Sequence, residues 1–524
     1  MILNDPRGRP AAPPLGIRTT LDELLRQAAL RRPDAVALVD PPDRADFTGG
    51  EPRRLTYAQA DRMVSAIAGR LRRMGLRTDA VVAIQIANTV ESALTVLGVM
   101  RAGLVAMPLP LLWRRAEAVA ALSRVGAHAL IVSGRIGKVD HYDLAMQIAA
   151  EIFPVRYVCG YGERAPDGVV PFDDLFTAEV LDPLPTLDAE RSPEPGAHLA
   201  AITWDVSADG LIPVARSHAE LIAGGLAVLL EARLAIDAVV LSPLALSSFA
   251  GLAVAMIPWL LLGGTLALHQ PFDPEVFRTQ FKAECADAVI VPGPLAAQLA
   301  ESGHFTGEHL AARDGVCSVI GVWRAPEQLA HALPWPETAA RMIDVQIFGE
   351  TGLLAATREG DGKPLATPFG VVTAPRPKGT GVEGALAVAE IAPTPNGTVA
   401  LRGPMVPHAA FPPGAERSGL HYFKISAGGY VDTGYACDPA SETMVVTAPP
   451  PGIVGIGGYR FPRRTLQDLV DSVDNGTLAV LPDALAGHRL AGSADDRAAV
   501  QAALARVGAS PLLVGAFAER PQAA

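Results

Sequence analysis

Lysine is nearly absent from this chain. Of 524 residues only five are Lys (Lys138, Lys282, Lys363, Lys378 and Lys424), and nothing from Ile425 to Ala524 is lysine. With 55 acidic against 44 basic residues the net charge is -11, and no dense Lys/Arg block occurs. That excludes a nucleic-acid binder. Cysteine is scarce as well. Cys159, Cys285, Cys317 and Cys437 stand apart, with no C-x-x-C and no His cluster at ligand spacing. A structural zinc site is therefore not expected, and a reducing, cytoplasmic compartment is. The opening "MILNDPRGRPAAPP" has no apolar core behind a basic start, so no signal peptide is expected.

Formal charge disappears altogether between Ala238 and Phe272, and "FAGLAVAMIPWLLLGGTLAL" is long enough to span a bilayer. Pro258 and the Gly263–Gly264 pair interrupt it, "GGTLAL" reads as a turn into a buried strand, and no basic flank orients it. The expectation is a chain with no membrane span.

What is present is alternation. "LDELLRQAALRRP" is apolar at helical spacing and stops at Pro33, and "AVALVD" follows as a short strand. "LTYAQADRMVSAIAGRLRRMGL" reads as a helix opened by Thr56 and closed by Gly75, ahead of the strand "AVVAIQIA". "ESALTVLGVMRAG" and "RRAEAVAALSRVGA" are helical, while "LVAMPL", "HALIVSG" and "DAVIVPG" are strand-like. The pattern predicts α/β architecture with parallel sheets. From about Gly370 short strands divided by turns take over, and "TAPPPGIVGIGGYRFP" makes a proline-rich break. The expected division is 1–449 for a large N-terminal domain of two parallel-type sheets, with 370–447 as a β-rich subdomain. A small, shortened α/β lid would occupy 450–524.

Six ordered segments carry a family resemblance: "LTYAQADRMVSAIAGRLRRMGL", "ESALTVLGVMRAGLVAMPLPL", "WLLLGGTLALHQPFDPEVF", "NGTVALRGPMV", "GGYVDTGY" and "GGYRFPRR". Their order and spacing resemble the adenylate-forming acyl-CoA synthetases, together with peptide-synthetase adenylation domains and luciferases. The resemblance implies that a carboxylate is joined to ATP as an acyl-adenylate and passed to a thiol such as CoA, with Mg²⁺ as cofactor. It also implies four site elements: a phosphate-holding loop, a metal carboxylate, a ribose-binding group and a cation at the developing charge.

Each element departs from the family pattern here. "TWDVSADGLIPVARSH" lies over the phosphate loop T-S-G-T-T-G-x-P-K-G. It reads as a strand, a small-residue turn and an exit towards a helix. Ser207, Gly210, Ser217 and His218 hold motif positions, but Ile212 or Pro213 stands where the lysine belongs, and Asp205 and Asp209 have entered. Carboxylates there repel a triphosphate. The metal pattern Y-G-x-T-E falls on Phe348, Gly349, Glu350 and Thr351, with Gly352 over the glutamate. A gapped match makes Glu350 the metal carboxylate instead. The ribose pattern T-G-D reads Thr433, Gly434, Tyr435, and a phenol cannot accept from two hydroxyls. The C-terminal lysine pattern, like P-K-T-x-S-G-K, finds no counterpart before Ala524; Arg463, Arg464, Arg489 and Arg520 are cations outside matching context.

Single residues keep two readings. His218 is a nucleotide contact or a buried structural imidazole. Ser247 and Ser248 are a polar wall of a substrate pocket or a turn. Glu350 is a metal ligand or an orphaned remnant. Three functions follow: a carboxylate-activating ligase by descent with weak or lost chemistry, a pseudoenzyme binding an acyl ligand, or a non-catalytic subunit paired as a homo- or heterodimer with a relative. ATP, Mg²⁺ and CoA are expected if the protein is active, and no cofactor otherwise.

Overall fold

The computed structural model describes residues 18–162, 164–176, 194–305, 317–336, 340–375, 385–409, 411–412, 425–473 and 476–518. Lys378, Lys424 and Arg520 lie outside them.

The sequence signals translate into elements through identifiable contacts. Thr56 caps the helix Tyr57–Arg73 in a capping box with Gln59. Asp273 caps Pro274–Ala283, where Pro274 costs nothing because its missing N–H would have had no partner. The first helix, Leu21–Arg31, ends two residues before Pro33.

Two sheets build the large domain. In the first, the strands Val36–Val39, Thr265–Leu268, Val239–Ser242, Ala288–Pro292, Ser318–Trp323 and Arg341–Phe348 are parallel neighbours. Antiparallel edges, Arg54–Thr56 and Gly352–Thr357, close its two sides. In the second, Val169–Pro171, Tyr157–Tyr161, Ala129–Ser133, Val81–Gln85, Val105–Pro108 and Leu199–Ser207 are parallel, and Gly210–Ser217 folds back as an antiparallel edge. Helices Tyr57–Arg73, Val90–Arg101 and His218–Ala232 contribute to a single apolar core shared by the sheets. A five-stranded antiparallel sheet follows between Gly370 and Ala448, and a four-stranded sheet with three helices spans Ile453–Ala516.

The uncharged stretch folds inside this core. It forms the strand Val239–Ser242, a helical segment over Phe249–Leu262, and the strand Thr265–Leu268. Gly263, at φ +65°, ends the helical segment, and a Cβ on Gly264 would lie 2.0 Å from the Ala238 carbonyl oxygen. Among the described residues no helix is long and apolar enough to cross a membrane.

The helix His218–Ala232 packs on that segment through Gly224 and Gly225. A Cβ at Gly225 would fall 2.3 Å from Ile257 Cβ. Ala in a helix interior is otherwise preferred to Gly by about 1 kcal/mol, whereas overpacking costs about 1–3 kcal/mol. Gly225→Ala should therefore lower the thermal midpoint of the purified protein, and a raised midpoint would show that the two helices are free to separate.

Candidate functional site

The site lies where an edge of each sheet meets the C-terminal lid. Strands Leu199–Ser207 and Gly210–Ser217 pair from Ile202 opposite Ala215 to Ser207 opposite Gly210, leaving Ala208 and Asp209 as a two-residue turn. Ser207 Oγ donates to the Gly210 carbonyl at 3.2 Å and accepts from Asp209 N–H at 3.3 Å. A Gly at positive φ suits such a tight hairpin, and Gly210 has φ +125°. The structure thus differs from the strand, turn and helix entry read in the sequence: Leu211 to Arg216 forms a second strand. Pro213 fits because this strand is the sheet edge. Ladder N–H groups point alternately to opposite sides, so they do not converge on an anion as those of a bent loop do.

Asp205 sits on the inner side of this hairpin. Its carboxylate is ion-paired with Arg460, from the lid strand Tyr459–Pro462, and accepts from the Glu350 N–H at 3.0 Å. Asp205 and Arg460 side chains are 13% and 12% exposed, so this pair is largely shielded from water. Burial by itself would lower the Arg460 guanidinium, but the carboxylates of Asp205 and Glu350 and the Tyr435 ring hold it above the ordinary value. The guanidinium lies 5.5 Å from the centre of the Tyr435 ring. Gly349, at φ +56°, makes room for it: a Cβ there would meet Arg460 Nη1 at 2.2 Å and Asp205 Oδ2 at 2.6 Å.

Glu350 faces into the protein. It is 4% exposed, and its Oε2 accepts the Phe249 N–H at 2.7 Å. Desolvation raises its pKa, opposed by Arg216. Arg216 donates to the Glu350 carbonyl, to the Thr351 carbonyl at 3.2 Å and to Thr203 Oγ1 at 3.4 Å, and stacks 3.9 Å from the Phe249 ring centre. Burial brings its pKa down to about 10. Thr351 N–H donates to the Phe348 carbonyl at 2.9 Å, closing the turn. Gly352 packs against Leu401 and Val406.

The remaining motif positions have structural partners. Ser217 caps the following helix in a capping box with Glu220. His218 is 1% exposed, and its Nδ1 accepts the Leu21 N–H at 3.2 Å. Thr433 Oγ1 donates to the Val399 carbonyl at 2.7 Å. Tyr435 is buried edge-on against Phe348, with ring centres 5.7 Å apart, and burial pushes its phenol up to about 12. Ser248 Oγ accepts from Gly251 N–H at 3.3 Å, while both Ser247 and Ser248 line cavities.

Two cavities result. The one bounded by Asp205, Glu350 and Arg460 holds about 40 Å³, room for a few water molecules. The other holds about 540 Å³, between the first sheet's strand ends and lid residues Gly457, Gly458, Tyr459, Leu485 and Ala486. These residues do not fit a magnesium triphosphate. The aligned loop is a zipped hairpin, its one inward carboxylate is paired to Arg460, and Glu350 is committed to Phe249. Among the described residues no group of three or more His, Cys, Asp or Glu could hold a metal ion.

Sequence reading passed over Arg216, Arg324 and Arg460. Arg460 lies within the quoted "GGYRFPRR", but its partner Asp205 is 255 residues away. The lid is held at further points. A Cβ on Gly452 would lie 3.1 Å from Ala208 Cβ, one on Gly434 3.2 Å from Pro450, and one on Gly508 3.0 Å from Arg115 Cβ. Asp205→Ala would leave Arg460 without its ion-pair partner, costing up to about 5 kcal/mol. The expected result is faster proteolysis within Pro449–Gly452 and faster amide exchange over Tyr459–Pro462. Unchanged rates would show that the pair does not hold the lid.

Comparison with known proteins agrees with this architecture. The model of the AMP-binding enzyme family matches residues 25–333. A 2-hydroxy-7-methoxy-5-methyl-1-naphthoate--CoA ligase of Streptomyces carzinostaticus is 27% identical over 350 residues, 64% of this chain and 59% of that protein. The salicyl-AMP ligase / salicyl-S-ArCP synthetase of Mycobacterium tuberculosis is 30% identical over 149 residues, 28% of this chain and 25% of that one. Long-chain fatty acid transport protein 1 of Bos taurus is 29% identical over 167 residues, 32% of this chain and 23% of that one. The chain therefore matches less than two thirds of each of these relatives' lengths. Among solved structures, the amide bond synthetase McbA from Marinactinospora thermotolerans superposes with a TM-score of 0.69 at 19% identity, covering 95% of this chain and 94% of that one. ATP-bound MatB from Rhodopseudomonas palustris does so with 0.60 at 19%, covering 93% and 92%. Those identities speak for the fold alone. With the family model spanning more than half of its length, this chain belongs to the AMP-binding enzyme family.

Proposed function

We propose that this chain is a member of the family that has lost ATP-dependent carboxylate activation and keeps the 540 Å³ cavity as a binding site for an acyl or aryl acid. The family uses ATP and a divalent metal, with CoA in its acyl-CoA ligases. By descent the chemistry would be formation of an acyl-adenylate and transfer of the acyl group to CoA or another thiol. The observation that carries the reading is the Asp205–Arg460 ion pair, seated with Tyr435 in the space that the resemblance allots to the nucleotide's phosphates and ribose.

Supporting it, the phosphate-loop position is a paired hairpin without lysine, and the acidic residue of the ribose pattern is replaced by a buried tyrosine. Loss of one preorganised donor commonly costs about 10²–10³ in rate, so the combined departures are expected to reduce turnover below detection. The relatives named for naphthoate, salicyl and long-chain fatty acid groups support an aromatic or aliphatic acid as the ligand class.

The test is pyrophosphate release from Mg²⁺-ATP with a panel of aromatic and aliphatic carboxylic acids. The expected result is no release above the control without acid. Release at about 1 s⁻¹ or faster with any acid, the range of ordinary enzymes, would overturn the reading.

A further inference from the structure

We propose that Arg324 anchors the acidic head of the cavity's ligand, and that the ligand is a monoanion with an otherwise apolar body and no amino group. This rests on the reading of the larger cavity as a ligand site.

Arg324 follows the strand Ser318–Trp323 and lines both cavities, standing where they adjoin. It is the one residue lining the larger cavity that carries a formal charge. Burial lowers the pKa of His269, the other ionisable base in that wall, and keeps it neutral at pH 7. Much of the remaining surface is apolar, including Leu111, Leu244, Phe272 and Leu295, and the polar groups are uncharged.

The arginine is held in place without a direct ion pair to a described residue. Its guanidinium lies 5.7 Å from the centre of the Tyr459 ring, within cation–π range. A Cβ on Gly458 would fall 2.9 Å from Arg324 Cδ, so the glycine lets the side chain lie against the lid strand. It forms no hydrogen bond or ion pair with a described residue. Glu350 lines the small adjoining cavity and attracts both Arg216 and Arg324 through space, but its direct hydrogen bond is to the Phe249 N–H, not to Arg324.

A guanidinium so placed matches a carboxylate in bidentate geometry. The same wall discriminates against other anions. An α-amino acid would bring an ammonium group into a cavity with no lining carboxylate, and an unpaired charge there is costly. A polyphosphate would meet a single cation. The apolar walls then bury the ligand's body, as in ordinary small-molecule sites of about 300–1,000 Å³.

The experiment is calorimetric titration of the full chain with 1-naphthoate, decanoate, their primary amides, and phenylalanine. The acids should bind at least about tenfold more tightly than their amides, the lower end of what a hydrogen bond to a charged group contributes. Arg324→Gln should erase that difference and leave amide binding unchanged, and Arg324→Lys should retain part of it; an unchanged thermal midpoint checks that the variants fold. The proposal is overturned if Arg324→Gln binds the acids as tightly as the parent. It is also overturned if phenylalanine binds as tightly as 1-naphthoate, or if no probe binds. Pyrophosphate release with the same acids would remove the proposed loss of activation, while an Arg324-dependent acid preference would still uphold this inference.

Discussion

The ion pair between Asp205 and Arg460 joins three parts of the molecule at one point. Asp205 belongs to the hairpin edge of the second sheet, Arg460 to the lid, and the Glu350 N–H that shares the Asp205 carboxylate belongs to the edge of the first. Breaking such a pair costs far more than replacing it with an apolar contact, because one charge is left behind without water. Its value here is therefore conformational. It ties the C-terminal sheet to the edges of the two large sheets, and a side chain at Gly349 would intrude on the space the pair fills.

The rest of the site follows from that arrangement. With Ala208 against Gly452 and Pro450 against Gly434, the proline-rich connection is clamped between hairpin and β subdomain. The small cavity shrinks to water size, while the large one stays open between the first sheet and the lid. A large and a small cavity thus sit side by side, with Arg324 lining both. The charge distribution has the same logic: the carboxylates are used internally, and one guanidinium is left facing the larger space.

Much of the fold was legible because it depends on local physics. The Thr56–Gln59 capping box, the stop before Pro33 and the glycines at Gly263–Gly264 mark element ends by backbone chemistry that a sequence displays directly. The strand Gly210–Ser217 was not legible. Pro213 and the small residues around it read as a turn, and only its edge position in the sheet permits a proline there. The motif positions could be located, yet their roles could not. Glu350 looks the same in a sequence whether it faces a metal or Phe249, and Tyr435 shows only that a carboxylate is missing, not that a ring fills the gap. Arg216 and Arg460 act through partners 134 and 255 residues away, which no local pattern announces.

The central claim is that protein groups occupy the place of the nucleotide. Calorimetric titration of the purified protein with ATP and Mg²⁺ tests it most directly and needs no knowledge of the acid. The account predicts no detectable heat of binding up to millimolar ATP. Saturable binding in the micromolar range would contradict it, because the Asp205–Arg460 pair would then have to open for the nucleotide.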